Sequence, residues 1–353
     1  MTQALTSNLQ RGYLTLDVPV TIVGVWDTVG SLGIPPVLGL NFNSDGIVQY
    51  SWINTKVSQA VVHAFQALGL DEHRAAYSPA IWEVPDVPNN LKTLKQCWFP
   101  GVHCNTGGAG GYQDQGLANI ALAWMVSQIQ SITNSDGTKG VLDFDEEYLT
   151  WVFNQNIERV GEVDPKVGFR GWALGKIEET MTTEYSLVGQ RKAWAESKSL
   201  MDWLQPGNVP RCPGQYEEVN AKEGKGVKSG RMLRTTSEKV HCSTRIRMVG
   251  GGRGTMTGNV EPPTYVPRAL EGWKLVGDGD KMGPLAEGFA WRSPDGKVIL
   301  QEDTLGEFEK VLLKLSQQAF CGGQLSHGFG RHLDKILAPG VGGQMKNRSM
   351  EHD

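Results

Sequence analysis

Val20-Thr21-Ile22-Val23-Gly24-Val25-Trp26-Asp27-Thr28-Val29-Gly30-Ser31-Leu32-Gly33 is an apolar run, rich in β-branched residues, that stops on an acid and turns into glycine. A second stretch repeats the pattern with a base: Trp98-Phe99-Pro100-Gly101-Val102-His103-Cys104-Asn105-Thr106-Gly107-Gly108. Runs that are apolar on both faces read as strands buried inside a parallel sheet. In an open α/β sheet, ligands bind in the crevice beyond the carboxyl ends of the strands. An acid at one strand end and a histidine at a later one, in that chain order, are two members of a hydrolase triad. The fold class expected is therefore α/β, with a mainly parallel sheet flanked by helices.

Working outward, residues 18–26 and 94–102 are the two strands, expected to lie side by side. Residues 32–50 are rich in Gly, Pro and Asn and read as a loop. Lys56 to Leu70 reads as an amphipathic helix, because Val57, Ala60, Val61, Ala64, Phe65 and Leu68 recur at helical spacing. Leu117 to Ile129 is a strongly apolar helix, and helical patterns follow at 145–158 and 184–203. Pro206, Gly207, Pro210, Pro213 and Gly214 mark a boundary. This divides the chain into a catalytic-type domain at 1–205 and a glycine-rich carboxyl-terminal extension at 206–336. A tail at 337–353 lacks apolar periodicity and is expected to be disordered. Within the extension, 240–249 and 297–301 have β-like texture. Thr304 and Glu307 make a capping-box pattern ahead of a final helix.

Bulk properties narrow the function classes. With a net charge of −4 over 353 residues, nothing argues for nucleic acid as a partner. No apolar run approaches the roughly 18 residues of a membrane span. Residues 1–11 are polar and lack the apolar core of a secretory signal. The five cysteines are odd in number, and none forms a Cys-x-x-Cys pair, which points to a reduced, cytoplasmic setting.

The candidate base is His103 and the candidate acid Asp27, with Asp71 as the alternative acid. An imidazole can take a proton from a hydroxyl and return it to a leaving group, and a carboxylate can orient it. Structural alternatives stand beside these roles. His103 could simply hydrogen-bond the glycine turn, and Asp27 could cap the turn after it. Glu72 and His73, beside Asp71 at a helix end, read as a solvated cluster. Cys104 adjoins His103, but neighbours in extended chain point to opposite sides. No Gly-x-Ser-x-Gly elbow occurs anywhere in the chain, and Gly30-Ser31-Leu32-Gly33 has the wrong spacing. Gly107–Gly111 fits neither the dinucleotide nor the P-loop spacing. The pairs His103-Cys104 and His241-Cys242 are a poor zinc pattern. No cofactor and no metal is expected.

A longer resemblance now becomes visible. Gly24 to Gly33 resembles the GVWDTVGSLG block of an uncharacterised α/β-hydrolase family that includes type VI secretion phospholipase effectors and many fungal proteins. His63 to Arg74 resembles its HAxxALxLDExR block, and Gln96 to His103 its QVWFPGVH block. Leu117 to Met125 resembles the helix that follows, and Pro213-Gly214-Gln215-Tyr216 and Val240 to Arg247 resemble PGxY and IHPSVRxR blocks of fungal members. The blocks run in order over roughly residues 18–320. The resemblance implies a carboxylic ester hydrolase, phospholipase-like, acting on an ester or phospholipid through a serine, with Asp27 and His103 as acid and base. Two departures stand out. The family carries its nucleophile in a GFSRGA elbow ahead of the GVWDTV strand, and this chain has no such block. HSDVGGGY becomes His103-Cys104-Asn105-Thr106-Gly107-Gly108-Ala109-Gly110-Gly111-Tyr112. The reading is therefore a partial α/β-hydrolase-like domain without its nucleophile elbow. Its alternative is a non-catalytic pseudoenzyme or binding module that retains the fold. A sheet without its first strands would expose an edge able to pair with a second copy.

Overall fold

The computed structural model describes residues 19–29, 57–74, 77–108, 114–133, 140–163, 171–177, 209–222, 225–249, 264–277 and 288–321, with positions 137, 180, 252 and 254. The expected loop at 32–50, helix at 184–203 and tail at 337–353 lie outside these residues.

Among the described residues, one seven-stranded sheet organises the protein. Its strands are β1 (Val20–Trp26), β2 (Val61–Gly69), β3 (Thr93–Phe99), β6 (Glu238–His241), β7 (Lys274–Val276), β8 (Ala290–Arg292) and β9 (Ile299–Asp303). The order across the sheet is β1-β2-β3-β6-β9-β8-β7. The first five are mutually parallel, and β8 and β7 close one side antiparallel. A separate antiparallel hairpin is made by β4 (Glu217–Lys222) and β5 (Lys225–Met232). The helices are α1 (His103–Gly107), α2 (Gly116–Gln130), α3 (Glu146–Val163), α4 (Ser243–Val249) and α5 (Glu307–Cys321). The fold is thus a mainly parallel α/β sheet flanked by helices. Strands from both sides of residue 206 share it.

The two faces of the sheet bury different sets. Phe65, Phe99, Ile120, Trp124, Phe153, Phe308 and Leu312 form the larger cluster, where α2, α3 and α5 pack on one face. Leu68, Leu70, Trp98, Val240, Leu270, Trp291 and Leu300 fill the other. Helix α2 is the pivot. Twelve of its fifteen residues are buried, as expected for a helix apolar all round.

Residues 56–70 correct the sequence reading: they hold strand β2, not a helix. The spacing of Val61, Ala64, Phe65 and Leu68 matches a helical stripe, but here both faces are buried. A central parallel strand carries no polar alternation, so its period is unreadable. Even Gln66 is fully buried, its amide donating to the Ala80 carbonyl at 3.1 Å. β2 lies between β1 and β3, so those two strands are not neighbours, although both end at the same edge. Residues 240–249 are likewise only briefly β. The chain leaves β6 at His241 and coils into α4 from Ser243.

The cap of α5 also differs from expectation. Glu309, rather than Glu307, reaches back to the Gly306 amide at 2.8 Å, and the hydroxyl that accepts from the Glu309 amide is Ser127 of α2, at 3.3 Å. The hydroxyl half of the capping arrangement therefore comes from another helix.

Candidate active site

The carboxyl ends of β1, β2 and β3 converge, and each delivers a titratable group. Asp27 follows β1 with φ +49°, a left-handed conformation that aspartate tolerates better than most side chains. Its amide still extends the ladder, donating to the Ala67 carbonyl at 2.7 Å. This bend turns the carboxylate into the interior, where it is 0 % exposed. His103 opens α1 after the Pro100-Gly101 turn, with Gly101 at φ +113°. The Glu72 carboxylate accepts its backbone amide at 3.3 Å.

The structure brings Asp27 and His103 together: Nδ1 of the imidazole donates to Oδ2 at 2.8 Å. Nε2 is then directed away from the acid. The ring is about one-third exposed and lies edge-on to Tyr77, with centroids 5.0 Å apart. Among the described residues, no serine or cysteine side chain hydrogen-bonds this imidazole.

Arg211, which the sequence analysis did not single out, completes the cluster. Its guanidinium grips both oxygens of Asp27, Nη2 donating to Oδ2 at 2.8 Å and Nη1 to Oδ1. It also donates to the carbonyls of Gly69 at 2.8 Å and Tyr77 at 2.9 Å. A turn places it. The Gln215 amide donates to the Cys212 carbonyl at 3.0 Å, with Pro213 and Gly214 between and Gly214 at φ +69°. Pro then Gly at those two positions is the signature of a type II turn. The Gly214 amide is tied to Glu238 at 2.9 Å, and Tyr216 stacks on Trp98 at 6.2 Å. The Pro-Gly-x-Tyr block was the available signal.

Electrostatics follow from this packing. Burial alone would raise the Asp27 carboxyl. The Arg211 charge, with hydrogen bonds from His103, Arg211 and the Gly69 amide, more than offsets it and holds the group well below the usual carboxylate range. A depressed folded-state value means the stabilisation is present above the unfolded value, about 3.9, and is lost as pH falls toward the folded one. Urea midpoints should therefore drop below about pH 4, and Asp27→Asn should remove this component. An identical acid profile in that variant would contradict the assignment.

Asp71 is placed differently. Its Oδ2 accepts from the Gly101 amide at 2.6 Å and from the Tyr265 hydroxyl at 2.9 Å, with no bond to His103. Burial raises its carboxyl despite those bonds. Glu72 and His73 are buried, not solvated as expected. Burial opposes ionisation of Glu72, but its two-oxygen contact with Arg74, at 2.9 and 2.8 Å, lowers it. Cys104 lies in a helix rather than extended chain, so it diverges from His103 by about 100°. Asn105, where the resemblance has Asp, uses both halves of its amide. It accepts from the Val102 amide at 3.2 Å and donates to the Lys176 carbonyl at 3.1 Å, a donation no carboxylate could make.

Gly69 is sterically required. A Cβ there would stand 2.8 Å from both the Gly101 carbonyl oxygen and Thr106 Oγ1, while its amide donates to Asp27 Oδ1 at 2.9 Å. Gly69→Ala is expected to cost about 1–3 kcal/mol in urea unfolding, the usual range for overpacking. Unchanged stability would show that this corner is loose.

Ser243, His241 and Glu309 form another serine–histidine–carboxylate chain. His241 bonds Ser243 Oγ and Glu309 Oε1, both at 2.7 Å. All three are at most 1 % exposed, so no substrate reaches them and the chain braces β6 against α5. Among the described residues, no group of three His, Cys, Asp or Glu side chains could hold a metal ion, and no helix is long and apolar enough to cross a membrane.

No curated protein and no solved structure matches the chain. A family does. Residues 2–128 match "T6SS, Phospholipase effector Tle1-like, catalytic domain". The span holds β1 to β3, α1 and most of α2, and with them Asp27, Asp71 and His103, whereas Arg211 falls outside it. Through residues 2–128, a little over a third of its length, the chain is thus similar to a lipase- and phospholipase-like catalytic domain.

Proposed function

We propose that this chain carries the acid and base of a serine-type carboxylic ester hydrolase acting on lipid esters. Asp27 orients His103 and stabilises its charged form, while Nε2 takes the proton from a nucleophilic hydroxyl and returns it to the leaving alcohol. The observation that carries this reading is the 2.8 Å bond between the Asp27 carboxylate and Nδ1 of a partly exposed imidazole, supported by the family match. The 353 residues contain no Gly-x-Ser-x-Gly elbow. The serine is the one role that no identified residue fills.

The test is ester hydrolysis by the 353-residue protein, alone and together with an elbow-bearing segment from a family member. Alone, turnover should be near background, since loss of a triad nucleophile costs on the order of 10⁶-fold. With the elbow supplied, turnover should appear and depend on His103. Turnover by the chain alone, abolished by His103→Ala, would instead reveal a serine within these residues. The missing elbow also favours a second reading, a non-catalytic binding module. Lipid binding without turnover in every arm would select it.

A further inference from the structure

The Arg211 side chain is 2 % exposed, too deep to touch a substrate, yet its contacts bear on the base. Nη1 donates to Asp27 Oδ1 and, at 2.8 Å, to the Gly69 carbonyl. Nη2 donates to Asp27 Oδ2 at 2.8 Å and to the Tyr77 carbonyl at 2.9 Å. The four Nη hydrogens are thus all engaged, two on one carboxylate and two on backbone. The guanidinium also lies over Trp98, 5.9 Å from the ring centroid.

Asp27, in turn, meets four donors. Oδ1 accepts from Arg211 and from the Gly69 amide at 2.9 Å. Oδ2 accepts from Arg211 and from His103 Nδ1, each at 2.8 Å. Guanidinium and amide nitrogens can only donate, so a proton on Asp27 would face another hydrogen at three of these four contacts. With the carboxylate held as an acceptor, Nδ1 must carry the hydrogen of a neutral imidazole, and Nε2 keeps a bare lone pair. That is the form able to take a proton from a hydroxyl.

Charge supplies the second half of the argument. Asp27 and Arg211 cancel, so a neutral imidazole completes a cluster with no net charge. The groups packed around it do not upset that balance. From the end of β2, Glu72 and Arg74 pair with one another at 2.8 Å, and the Arg74 guanidinium lies 3.6 Å from the centroid of the Tyr77 ring. Asp71 turns to Gly101 and Tyr265, and His73 Nδ1 bonds the Asp71 carbonyl at 2.9 Å. Cys104 follows His103 on α1, and on the 211–216 turn the Tyr216 hydroxyl accepts from the Cys212 amide at 3.3 Å. Without Arg211, the Asp27 carboxylate would be a net charge in a poorly solvating interior, where burial by itself raises the carboxyl. Taking up a proton removes that charge. The proton then belongs to the pair, and both forms of the pair put a hydrogen on Nε2. One is an imidazolium beside a carboxylate. The other is a flipped neutral ring whose Nδ1 accepts from a carboxylic acid.

We infer that Arg211 is a positioning residue for the base: by cancelling the charge of Asp27 it keeps a second proton off the Asp27–His103 pair and leaves the Nε2 lone pair free. The catalytic use of that lone pair rests on the hydrolase reading above, whereas its protonation can be read in a protein that turns nothing over.

The test is nitrogen NMR of the full chain with isotope-labelled histidine, the His103 signals being assigned by their loss in His103→Gln. At about pH 7.5, a unit above the ordinary imidazole value of about 6.5, the parent should carry hydrogen on Nδ1 and none on Nε2. Arg211→Gln keeps a donor for Asp27 but no charge, and should place a hydrogen on Nε2. Arg211→Lys keeps the charge but cannot reproduce the four bonds, and should leave Nε2 bare. A merely structural role would move both variants alike. If Arg211→Gln fails to fold, the parent and Arg211→Lys still decide, since a hydrogen on Nε2 in either would overturn the inference, as would a bare Nε2 in Arg211→Gln. With the elbow supplied, Arg211→Gln should lower kcat on the order of 10²-fold with KM unchanged, and the loss should shrink as rising pH strips the extra proton. The expected spectra with no turnover in any arm would sink the hydrolase reading alone. Turnover with identical spectra in parent and Arg211→Gln would sink the role of Arg211 alone.

Discussion

Arg211→Met is expected to lower folding stability by about 3–5 kcal/mol, read from urea unfolding at pH 7. The reason is what the substitution leaves behind. Asp27 is fully enclosed, and its main counter-charge is the guanidinium that bonds both its oxygens. Removing one partner of a buried pair strands the other's charge in a poorly solvating interior. The carbonyls of Gly69 and Tyr77 lose a donor at the same time. Adding Asp27→Asn to Arg211→Met removes the stranded charge and should recover a substantial part of the loss, a coupling that a double-mutant cycle measures directly. A single Arg211→Met variant as stable as the parent would mean that the carboxylate is solvated some other way.

In a form of the protein supplied with a nucleophile elbow, His103→Ala should reduce turnover on the order of 10⁶-fold, because the serine then has no base. Asp27→Asn should reduce it on the order of 10⁴-fold, as the imidazole loses its orienter and its preferred tautomer. Asp71→Asn should be far milder, since its carboxylate serves Gly101 and Tyr265 rather than the imidazole. A variant series in which Asp71→Asn is inactive and Asp27→Asn healthy would move the acid's role to the neighbouring strand. Full activity in all three would remove the catalytic role from this set of residues.

How much of this could be read beforehand depended on how local each signal was. β1, β3, α2 and α3 announce themselves within their own residues, and Asp27 and His103 stand at the ends of two such runs. β2 misleads because a strand buried on both faces has no period, and its apolar residues fell by chance on a helical stripe. β6 is four residues long, too short to carry a pattern against the helix that follows it. Arg211 is one arginine in a stretch of prolines and glycines, 184 positions from the carboxylate it holds. Only the fold defines that contact. The hydroxyl of the α5 cap, which comes from Ser127, is invisible for the same reason.

The place of Arg211 has a wider consequence. The family-model match ends at residue 128, yet the counter-ion of its buried acid comes from residue 211, and β3 finds its next neighbour in β6 at residues 238–241. A fragment cut at the end of the shared block would keep the acid and the base. It would also bury a carboxylate with no guanidinium and leave an apolar strand with one flank bare. The span that the family model covers is therefore smaller than the unit that must be made before the chain can fold, and residues outside that span are indispensable to the acid and the strand within it.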